Sequence, residues 1–366
     1  HLIHSFSAYV ILFWTKYFNQ PIEWYLSDSE LTIDGERCAG SPTGSHRHRE
    51  CMVTSDRKRL SVSDGLVFHW RDLDTDDMPS HRLRHQLWTL YNLEAPTLTY
   101  QYAGANLCDS DIAFNLTSSY RTDSDLWVPY GRLTRRNHRI SGGTRRQRLL
   151  LPVLSSDGVD LDGKSKEIAW FVSNCETSAK RELYVQQLSR YISVDIYGKC
   201  GQWVCEPHRS PHCFARIASE YKFYLSFENS ICRDYVTEKL FDPLNYAMVP
   251  VVFGGADYGR LMPSKSYIDA TRLTPKQLAD QLLQIGSNRS EYLSYFDWKR
   301  DFAVESALDL KFEVLCRLCR ALNTRKPYHH SSHTGAEVTK WWFQSSDCKS
   351  WVNESHSNAN SFVNAL

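Results

Sequence analysis

The sequence has neither a large excess of one charge nor a long hydrophobic run. Lys and Arg number 43 against 42 Asp and Glu, so the formal net charge is +1, whereas nucleic-acid-binding proteins usually carry a clear basic excess. The best apolar run, 8–14 (AYVILFW), is far shorter than the ~20 residues of a membrane-spanning helix and predicts a buried first strand instead. The sequence therefore predicts no nucleic-acid partner and no transmembrane helix among these residues.

Cysteine, by contrast, is abundant. The sequence contains 11 cysteines, a high number for a cytosolic enzyme of this size. N-glycosylation sequons begin at Asn115, Asn288 and Asn353. Disulfides and N-glycans are both typical of the secretory pathway, so we expect an oxidising compartment. Because the number of cysteines is odd, at least one thiol is free or bonded to another chain.

Length and apolar patterning predict two domains. A chain of 366 residues exceeds one ordinary core, and 42% of it is apolar. Short apolar strands open the first half, with a helical candidate before Trp88, and the charged segment 132–166 has the composition of a linker. From 167 onward strands and helices alternate, which predicts a doubly wound parallel sheet. We assign an N-terminal domain to 1–150, a C-terminal domain to 151–322 and a tail to 323–366.

Polar residues cluster where predicted strands end and helices begin. The strand KFYLSFEN ends at Glu228 and Asn229, and the triplet TEK places Glu238 and Lys239 at a helix start. Arg181 lies at another strand-to-helix junction. Doubly wound sheets bind ligands beyond the carboxyl ends of their strands, and helix starts favour anions. Two cations at such positions indicate a diphosphate, and the carboxylate beside them indicates a nucleotide sugar.

Several segments, in order, resemble the α1,3-fucosyltransferases. The longest is KFYLSFENSICRDYVTEKLF followed by VPVVFGG; FNLTSSYRTDSDLWVPYG, IAWFVSN and SEYLSYFDWKRDF are also similar to the family. The similarity runs over 10–322, and GGADYGRLMPSKSYIDA is most similar to the invertebrate α-(1,3)-fucosyltransferase C group. The resemblance implies an α/β protein of the GT-B fold, with two Rossmann-like doubly wound domains facing across a cleft. The first domain would bind the acceptor and the second GDP-fucose.

The resemblance also assigns donor-binding residues in the second domain. It places Arg181 and Lys239 on the diphosphate and Glu238 on the ribose. The other positions that match donor-lining residues of the family are Ser173, Asn174, Tyr224 and Asn229. Pro243 departs from the expected helix after TEK, and we predict that it kinks or shortens that helix.

In the first domain the resemblance identifies Glu94 as the general base. The family normally has Ser-Pro after this residue, whereas this chain has Ala95 and then proline. Gln20, in YFNQ, matches an acceptor contact. Because a sugar hydroxyl is a poor nucleophile, a carboxylate that takes its proton accelerates transfer by roughly 10²–10⁴-fold. We expect an inverting single displacement that moves fucose from GDP-β-L-fucose to the 3-hydroxyl of a GlcNAc residue in a glycoprotein or glycolipid glycan.

No cofactor is expected to be required, and a divalent metal is expected to stimulate at most. Arg181 and Lys239 would supply the positive charge that the departing diphosphate needs. The Asp-x-Asp pairs, which a manganese-dependent enzyme uses, are scattered and begin at Asp74, Asp109, Asp123 and Asp160. Cys316-x-x-Cys319 is half of a zinc motif, and the nearby His329, His330 and His333 offer only a weak second half. Disulfides are the favoured interpretation of that pair.

The resemblance implies two long-range disulfides, Cys38–Cys316 and Cys51–Cys319. In the chain-entropy model, closing loops of this length stabilises a fold by several kcal/mol each. Cys175 and Cys232 flank the predicted donor strands and form a further candidate pair.

The acceptor and the cellular address are less defined. An active enzyme would modify LacNAc or LacdiNAc antennae, or alternatively the innermost GlcNAc of N-glycans; a carbohydrate-binding protein without turnover is a third possibility. The joint presence of Glu94, Arg181, Glu238 and Lys239 argues against the third. The chain begins without methionine or a signal-peptide pattern, so we expect a type II Golgi lumenal protein whose membrane anchor is not part of this sequence.

Overall fold

The structure is a computed structural model that describes residues 8–27, 31–34, 49–102, 107–136, 160–305, 313–324, 332–352 and 361–366. Its strands are β1 (Tyr9–Phe13), β2 (Thr32–Ile33), β3 (Cys51–Thr54), β4 (Gly65–His69), β5 (Leu87–Asn92), β6 (Ala113–Phe114), β7 (Leu116–Ser119), β8 (Leu126–Trp127), β9 (Arg132–Arg135), β10 (Lys166–Phe171), β11 (Val194–Tyr197), β12 (Tyr221–Phe227), β13 (Val249–Phe253), β14 (Ile268–Asp269), β15 (Phe302–Glu305), β16 (His333–Thr334), β17 (Lys349–Val352) and β18 (Ser361–Asn364). Its α-helices are α1 (Pro96–Thr99), α2 (Arg181–Leu188), α3 (Pro211–Glu220), α4 (Glu238–Phe241), α5 (Tyr258–Leu261), α6 (Pro275–Ser287), α7 (Arg289–Ser294), α8 (Glu313–Thr324) and α9 (Gly335–Thr339). None of these helices is long and apolar enough to span a membrane.

The first compact unit comprises His1–Val128 and Phe312–Ser346. Its seven-stranded sheet has the order β2-β3-β1-β4-β5-β7-β8, and every pairing is parallel except that of β2 with β3. Strands β1, β4 and β5 are almost wholly buried, as expected for parallel strands with both faces covered. Helix α8 packs Leu315 and Leu318 into the same core.

A disulfide fixes α8 to this sheet. Cys51, on β3, is bonded to Cys319, on α8, which confirms one of the two predicted long-range bridges. Cys316 is also disulfide-bonded, but Cys38 lies outside the described residues, so the pairing of those two stays a prediction.

After α8 the chain does not form the predicted tail. Residues 333–346, here called the return segment, pack on the first unit: β16 pairs with β6, α9 follows, and a short π-helix covers Lys340–Gln344. Trp342 in that π-helix is fully buried. The tail assignment to 323–366 is wrong because large apolar side chains of this segment belong to a core.

The second compact unit comprises Pro129–Lys311 and Asp347–Leu366. Its five-stranded sheet has the order β11-β10-β12-β13-β14 and is parallel throughout, as predicted for the second half. The hairpin of β17 and β18 belongs to this unit, and Trp351 of β17 donates its backbone N–H to Ala179.

Two local predictions fail and one holds. The segment 132–166 is not simply a linker, because β9 at its start pairs with β15 in the second unit; the boundary at 150 therefore moves to about Pro129. The helical candidate before Trp88 is absent, since the described residues 73–86 form turns and bends. Pro243 does shorten the helix after TEK: α4 ends at Phe241, and a 3₁₀ turn begins at Pro243.

The cysteines of the second unit pair differently from the prediction. Cys175 is bonded to Cys200 and Cys232 to Cys348, with a further bridge between Cys205 and Cys213. The predicted Cys175–Cys232 pair is wrong, because each cysteine meets a partner from a loop that the strand pattern does not place beside it. The bond of Cys348 to Cys232 attaches the C-terminal hairpin to the loop after β12.

The asparagines of the two sequons that the structure describes differ in their exposure to solvent. Asn115 is buried, and its side-chain oxygen accepts hydrogen bonds from the Trp88 backbone and from Arg82. A glycan on Asn115 does not fit this environment, which corrects that prediction. Asn288 is exposed and caps α7 through its oxygen rather than through the nitrogen that carries a glycan. Asn353 lies outside the described residues.

A partly exposed ion pair holds the return segment on the first unit, and its contribution to stability is expected to depend on pH. His333 lies 3.0 Å from Asp125. The hydrogen bond with Asp125 raises the pKa of His333 above 6.5, so its contribution to stability is complete below that pH and is lost as pH rises through the raised value. Burial raises the pKa of Asp125, but hydrogen bonds from His333 and Thr117 outweigh it and hold the pKa below 3.8; that contribution is lost only in strong acid.

We expect His333→Gln to lower the free energy of unfolding of the first unit by about 0.5–1 kcal/mol near pH 5.5, and by less near pH 8.5. Urea unfolding at both pH values measures this difference. His85→Gln, at an exposed position of the same unit, is the control. An equal loss at both pH values would show that the ion pair is not the cause.

Candidate active site

A buried carboxylate organises the start of α4 in the second unit. Glu228, directly after β12, is fully buried and accepts hydrogen bonds from the Thr237 backbone N–H at 2.8 Å and from its hydroxyl. The Lys239 ammonium lies 3.3 Å from Glu228 and 2.9 Å from the Thr237 hydroxyl. A buried carboxylate needs such a partner. Lys239 is therefore held in place at a helix start rather than extended into solvent.

Arg181 and Asn229 each carry a buried polar atom without a hydrogen-bond partner among the described residues. Arg181 is 3% exposed and donates to the carbonyls of Phe227 at 2.5 Å and Asn174 at 3.4 Å, but its Nε has no acceptor. The side-chain oxygen of Asn229 has no donor. Burial lowers the pKa of Arg181, and the negative charge of Glu228 opposes that shift. Buried polar groups are nearly always paired, so these two atoms are open to hydrogen bonds from a ligand.

An ion-pair network holds the carboxylate of Glu238. Arg209 donates to Glu238 at 3.1 Å and to Asp242 at 3.2 Å. Burial raises the pKa of Glu238, but the charges of Lys239 and Arg209 outweigh it and lower the pKa to about 2. Glu238 is therefore an ionised acceptor at physiological pH, suited to hydroxyl groups of a ligand. Burial raises the pKa of Asp242 to about 6 against the effect of Arg209.

Tyr224 lies close enough to this network for its charges to act on the phenol. It is 1% exposed, and burial raises its pKa to about 12, with Arg209 opposing and Asp242 adding to the shift. Its phenol therefore stays neutral at physiological pH.

The loop after β10 contributes Ser173 and Asn174, which are both exposed. The Ser173 hydroxyl lies 3.3 Å from the imidazole of His208, and the carbonyl of Asn174 accepts from Arg181. Gly198 lies beside this loop with a φ of +99°, and a Cβ on Gly198 would lie 2.6 Å from the Val172 carbonyl. The structure thus places the predicted donor residues of the second unit on and after β10 and β12, where Arg181 bonds to Asn174 and Lys239 pairs with Glu228 and Glu238.

No grouping of three or more possible metal ligands occurs in the described ranges. One Asp-x-Asp pair is bound to cations of the protein itself: Asp123 pairs with Arg121 at 2.6 Å, and Asp125 pairs with His333.

In the first unit Glu94 lies between β5 and α1 and is half-buried. Asn92, the last residue of β5, accepts from the Glu94 backbone N–H at 3.1 Å and donates to the Glu94 carbonyl at 3.4 Å. Burial and then the negative charge of Glu94 raise the pKa of Tyr102 to about 12, which places the carboxylate near that phenol. Ala95, where the family has serine, is fully buried, and its carbonyl accepts the Thr99 hydroxyl.

Gln20 follows a strained turn at the same edge of the sheet. Phe18 and Asn19 have φ values of 48° and 63°, and their backbone N–H groups donate to Asp72 at 2.9 and 3.0 Å. Gln20 is half-buried and bridges to Tyr17. Burial raises the pKa of Tyr17, and Glu94 is among the charges that add to it. Gln20 and Glu94 therefore both lie near Tyr17 in the first unit.

A cavity of about 660 Å³ lies elsewhere in the second unit, between α2 and strands β10 and β11. It is lined by Trp170, Val172, Leu183 and Ile196 together with the Cys175–Cys200 bridge, among others. None of the predicted donor residues lines it, so this cavity is separate from the group described above.

Two sequence profiles cover most of the chain. The profile described as fucosyltransferase, N-terminal, matches residues 7–131, and that of glycosyltransferase family 10 (fucosyltransferase), C-terminal, matches residues 161–341. The chain belongs to this fucosyltransferase family. The family resemblance of the sequence motifs is thereby confirmed.

Individual relatives support the same family, and a solved structure supports the fold. The fucosyltransferase is 33% identical to α-(1,3)-fucosyltransferase C of Drosophila melanogaster, over 93% of this chain and 79% of the relative. It is 33% identical to 4-galactosyl-N-acetylglucosaminide 3-α-L-fucosyltransferase 9 of Bos taurus (82% and 74%) and to glycoprotein 3-α-L-fucosyltransferase A of Drosophila melanogaster (83% and 57%). A crystal structure of an α1,3-fucosyltransferase with GDP-fucose aligns with a TM-score of 0.52 at 14% identity, over 90% of this chain and 95% of that one. The GT-B fold class is confirmed.

Sequence reasoning did not assign a role to several residues that hold the predicted donor-binding residues of this fucosyltransferase. Glu228 and Thr237 lie in the polar segment between β12 and α4, yet only the structure shows that they hold Lys239. Arg209 lies in a loop without periodicity, 29 positions before Glu238, and no sequence signal links the two.

Proposed function

We propose that this fucosyltransferase moves fucose from GDP-β-L-fucose to the 3-hydroxyl of a GlcNAc residue, with inversion at the anomeric carbon. The observation that carries the proposal is the position of Arg181, Glu238 and Lys239 in the first turns of two helices that follow the carboxyl ends of parallel strands. Such strand ends are where doubly wound sheets bind nucleotides.

The chemistry of that group suits a nucleoside diphosphate sugar. The unpaired Nε of Arg181 and the ammonium of Lys239 offer positive charge to phosphate oxygens, which a guanidinium binds in pairs and an ammonium as a point charge. The ionised Glu238 accepts hydrogen bonds from ribose hydroxyls. As the bond to fucose breaks, GDP gains negative charge, and these fixed cations stabilise it.

Glu94 would remove the proton of the acceptor hydroxyl as the new bond forms. In a single displacement the hydroxyl attacks the face opposite GDP, so the β-linked fucose of the donor becomes α-linked in the product. Gln20, at the same edge of the first sheet, would contact the acceptor.

The acceptor that we propose is a GlcNAc residue in LacNAc or LacdiNAc antennae of glycoproteins or glycolipids. One relative's name specifies a 4-galactosyl-N-acetylglucosaminide and another's a glycoprotein, and both are 33% identical to this chain. Identity therefore does not favour one of these two relatives over the other as a guide to the acceptor. The innermost GlcNAc of N-glycans is the second candidate.

We place the protein in the Golgi lumen. The disulfides of both units require an oxidising compartment, and nucleotide-sugar-dependent glycan extension occurs there. A membrane anchor outside this chain stays a prediction.

A transfer assay on a panel of acceptors tests the proposal. We expect GDP-fucose with N-acetyllactosamine to yield an α1,3-fucosylated product, identified by NMR of the linkage, together with one GDP per fucose transferred. LacdiNAc and an N-glycan core with unmodified innermost GlcNAc are the comparison acceptors. Preference for the core would support the second candidate, and GDP-fucose binding without GDP release on any acceptor would contradict enzyme function.

Removing divalent metal ions with a chelator tests whether side chains neutralise the leaving diphosphate. Because side chains rather than a metal ion would neutralise the leaving diphosphate, transfer should continue in excess EDTA, with at most modest stimulation by added divalent ions. The rate is measured before and after chelation with the same enzyme preparation. Complete loss of activity that manganese alone restores would contradict the role of Arg181 and Lys239.

A further inference from the structure

A chain of buried hydrogen bonds leads from the return segment to the backbone of Glu94. The indole N–H of Trp342 donates to the Thr99 hydroxyl at 3.1 Å. The same oxygen accepts from the Asn92 side-chain amide at 2.7 Å. Asn92 in turn bonds both the N–H and the carbonyl of Glu94. Trp342, Thr99 and Asn92 are at most 2% exposed, so water does not compete for these bonds.

The direction of each bond is determined by its chemistry. An indole N–H can only donate, so the Thr99 oxygen must accept from Trp342. The Thr99 hydroxyl hydrogen points to the Ala95 carbonyl, 3.0 Å away. The remaining lone pair of Thr99 accepts from the nitrogen of Asn92, which turns the Asn92 oxygen toward the Glu94 N–H. One orientation of Asn92 therefore satisfies every partner, and it fixes the backbone on both sides of the Glu94 side chain.

The return segment, from which this series of hydrogen bonds starts, is itself held in place by buried contacts. Arg121, which is fully buried, donates to the Trp341 carbonyl at 2.6 Å and to the hydroxyls of Ser345 and Ser346 at 3.1 and 2.9 Å. The ring of Trp342 packs against Trp70 at 5.7 Å between centroids. The indole N–H is thus presented to Thr99 in a set position.

We propose that Trp342, Thr99 and Asn92 are positioning residues that hold Glu94 in the orientation needed to take the acceptor proton. The proposal rests on the proposed role of Glu94 as the base. It gives the return segment, which joins the first unit from more than 200 positions downstream, a part in the reaction without contact with substrate. Misplacing a reacting group slightly is enough to reduce a catalytic rate.

A matched pair of substitutions at Thr99 tests the proposal. Thr99→Val keeps the shape but removes the hydroxyl, whereas Thr99→Ser keeps the hydroxyl and removes a methyl group. We expect Thr99→Val to lower kcat with N-acetyllactosamine about tenfold, the effect of losing one buried hydrogen bond, with an unchanged KM for GDP-fucose and unchanged GDP affinity by calorimetry. Thr99→Ser should keep most of the rate. Equal kcat values for the two variants, or a loss confined to KM, would overturn the proposal.

A second site and a double variant guard against a merely structural effect. Trp342→Phe should reproduce the kcat loss, and Trp341→Phe, one residue earlier, should not. If Thr99→Val proves unfolded by circular dichroism, this tryptophan pair decides instead.

In the Glu94→Gln background, Thr99→Val should add no further loss, because both changes act on one group; an additive loss would overturn the proposal. If Glu94→Gln alone retains normal turnover, the base assignment fails and the positioning role fails with it; if Glu94→Gln is inactive while Thr99→Val is normal, only the positioning role fails.

Discussion

Glu94→Gln is expected to reduce fucose transfer at least ~100-fold while leaving the fold and GDP binding unchanged. Glutamine has the same shape but cannot take a proton, so the acceptor hydroxyl keeps its proton as the bond to fucose forms. The backbone bonds that Asn92 makes to this residue are unaffected by the change, so the local structure is retained. The measurement is kcat with N-acetyllactosamine at saturating GDP-fucose.

The control for this prediction is Glu50→Gln, at an exposed position of the same unit. Calorimetric titration with GDP establishes that the second unit is intact in both variants. Normal turnover of Glu94→Gln would remove this residue from the mechanism.

Removing the guanidinium of Arg181 is expected to have an effect of similar size. Arg181→Ala should reduce kcat/KM for GDP-fucose about 100-fold or more, because a fixed charge that contacts the phosphates acts in the bound state and in the transition state. Arg181→Lys should recover only part of the loss, since an ammonium cannot bind two phosphate oxygens in the fork geometry of arginine. Arg190→Ala, at an exposed position just after α2, is the control. Full activity of Arg181→Lys would contradict paired phosphate binding.

Lys239 needs a different design, because its ammonium also neutralises the buried Glu228. Lys239→Ala alone leaves an uncompensated buried carboxylate, so a loss of activity in that variant would include a loss of stability. The double variant Glu228→Gln/Lys239→Ala removes both charges together. We expect the double variant to recover the thermal stability that Lys239→Ala loses but to stay impaired in GDP-fucose binding and turnover. Recovery of activity together with stability would show that Lys239 acts on the fold rather than on the diphosphate.

The sequence by itself determined the elements that carry the chemistry. Buried parallel strands appear as continuous apolar runs, and polar residues directly after them lie at the carboxyl edge of the sheet whatever the rest of the chain does. The family resemblance identified Glu94, and this local rule placed Arg181, Glu238 and Lys239 at helix starts. It also predicted that Pro243 shortens α4, since proline acts on its own helix.

Only the tertiary structure decided which of these residues support one another. The Trp342–Thr99 bond joins positions 243 apart, and the Arg209–Glu238 pair joins a loop to a helix start. The same holds for the partners of Cys175 and Cys232 and for the return segment, which the sequence presented as a tail. Periodicity in a sequence reports which face of an element is buried, but it carries no information on which distant loop covers that face. The partners of a buried donor or carboxylate are fixed only when the whole core closes around it.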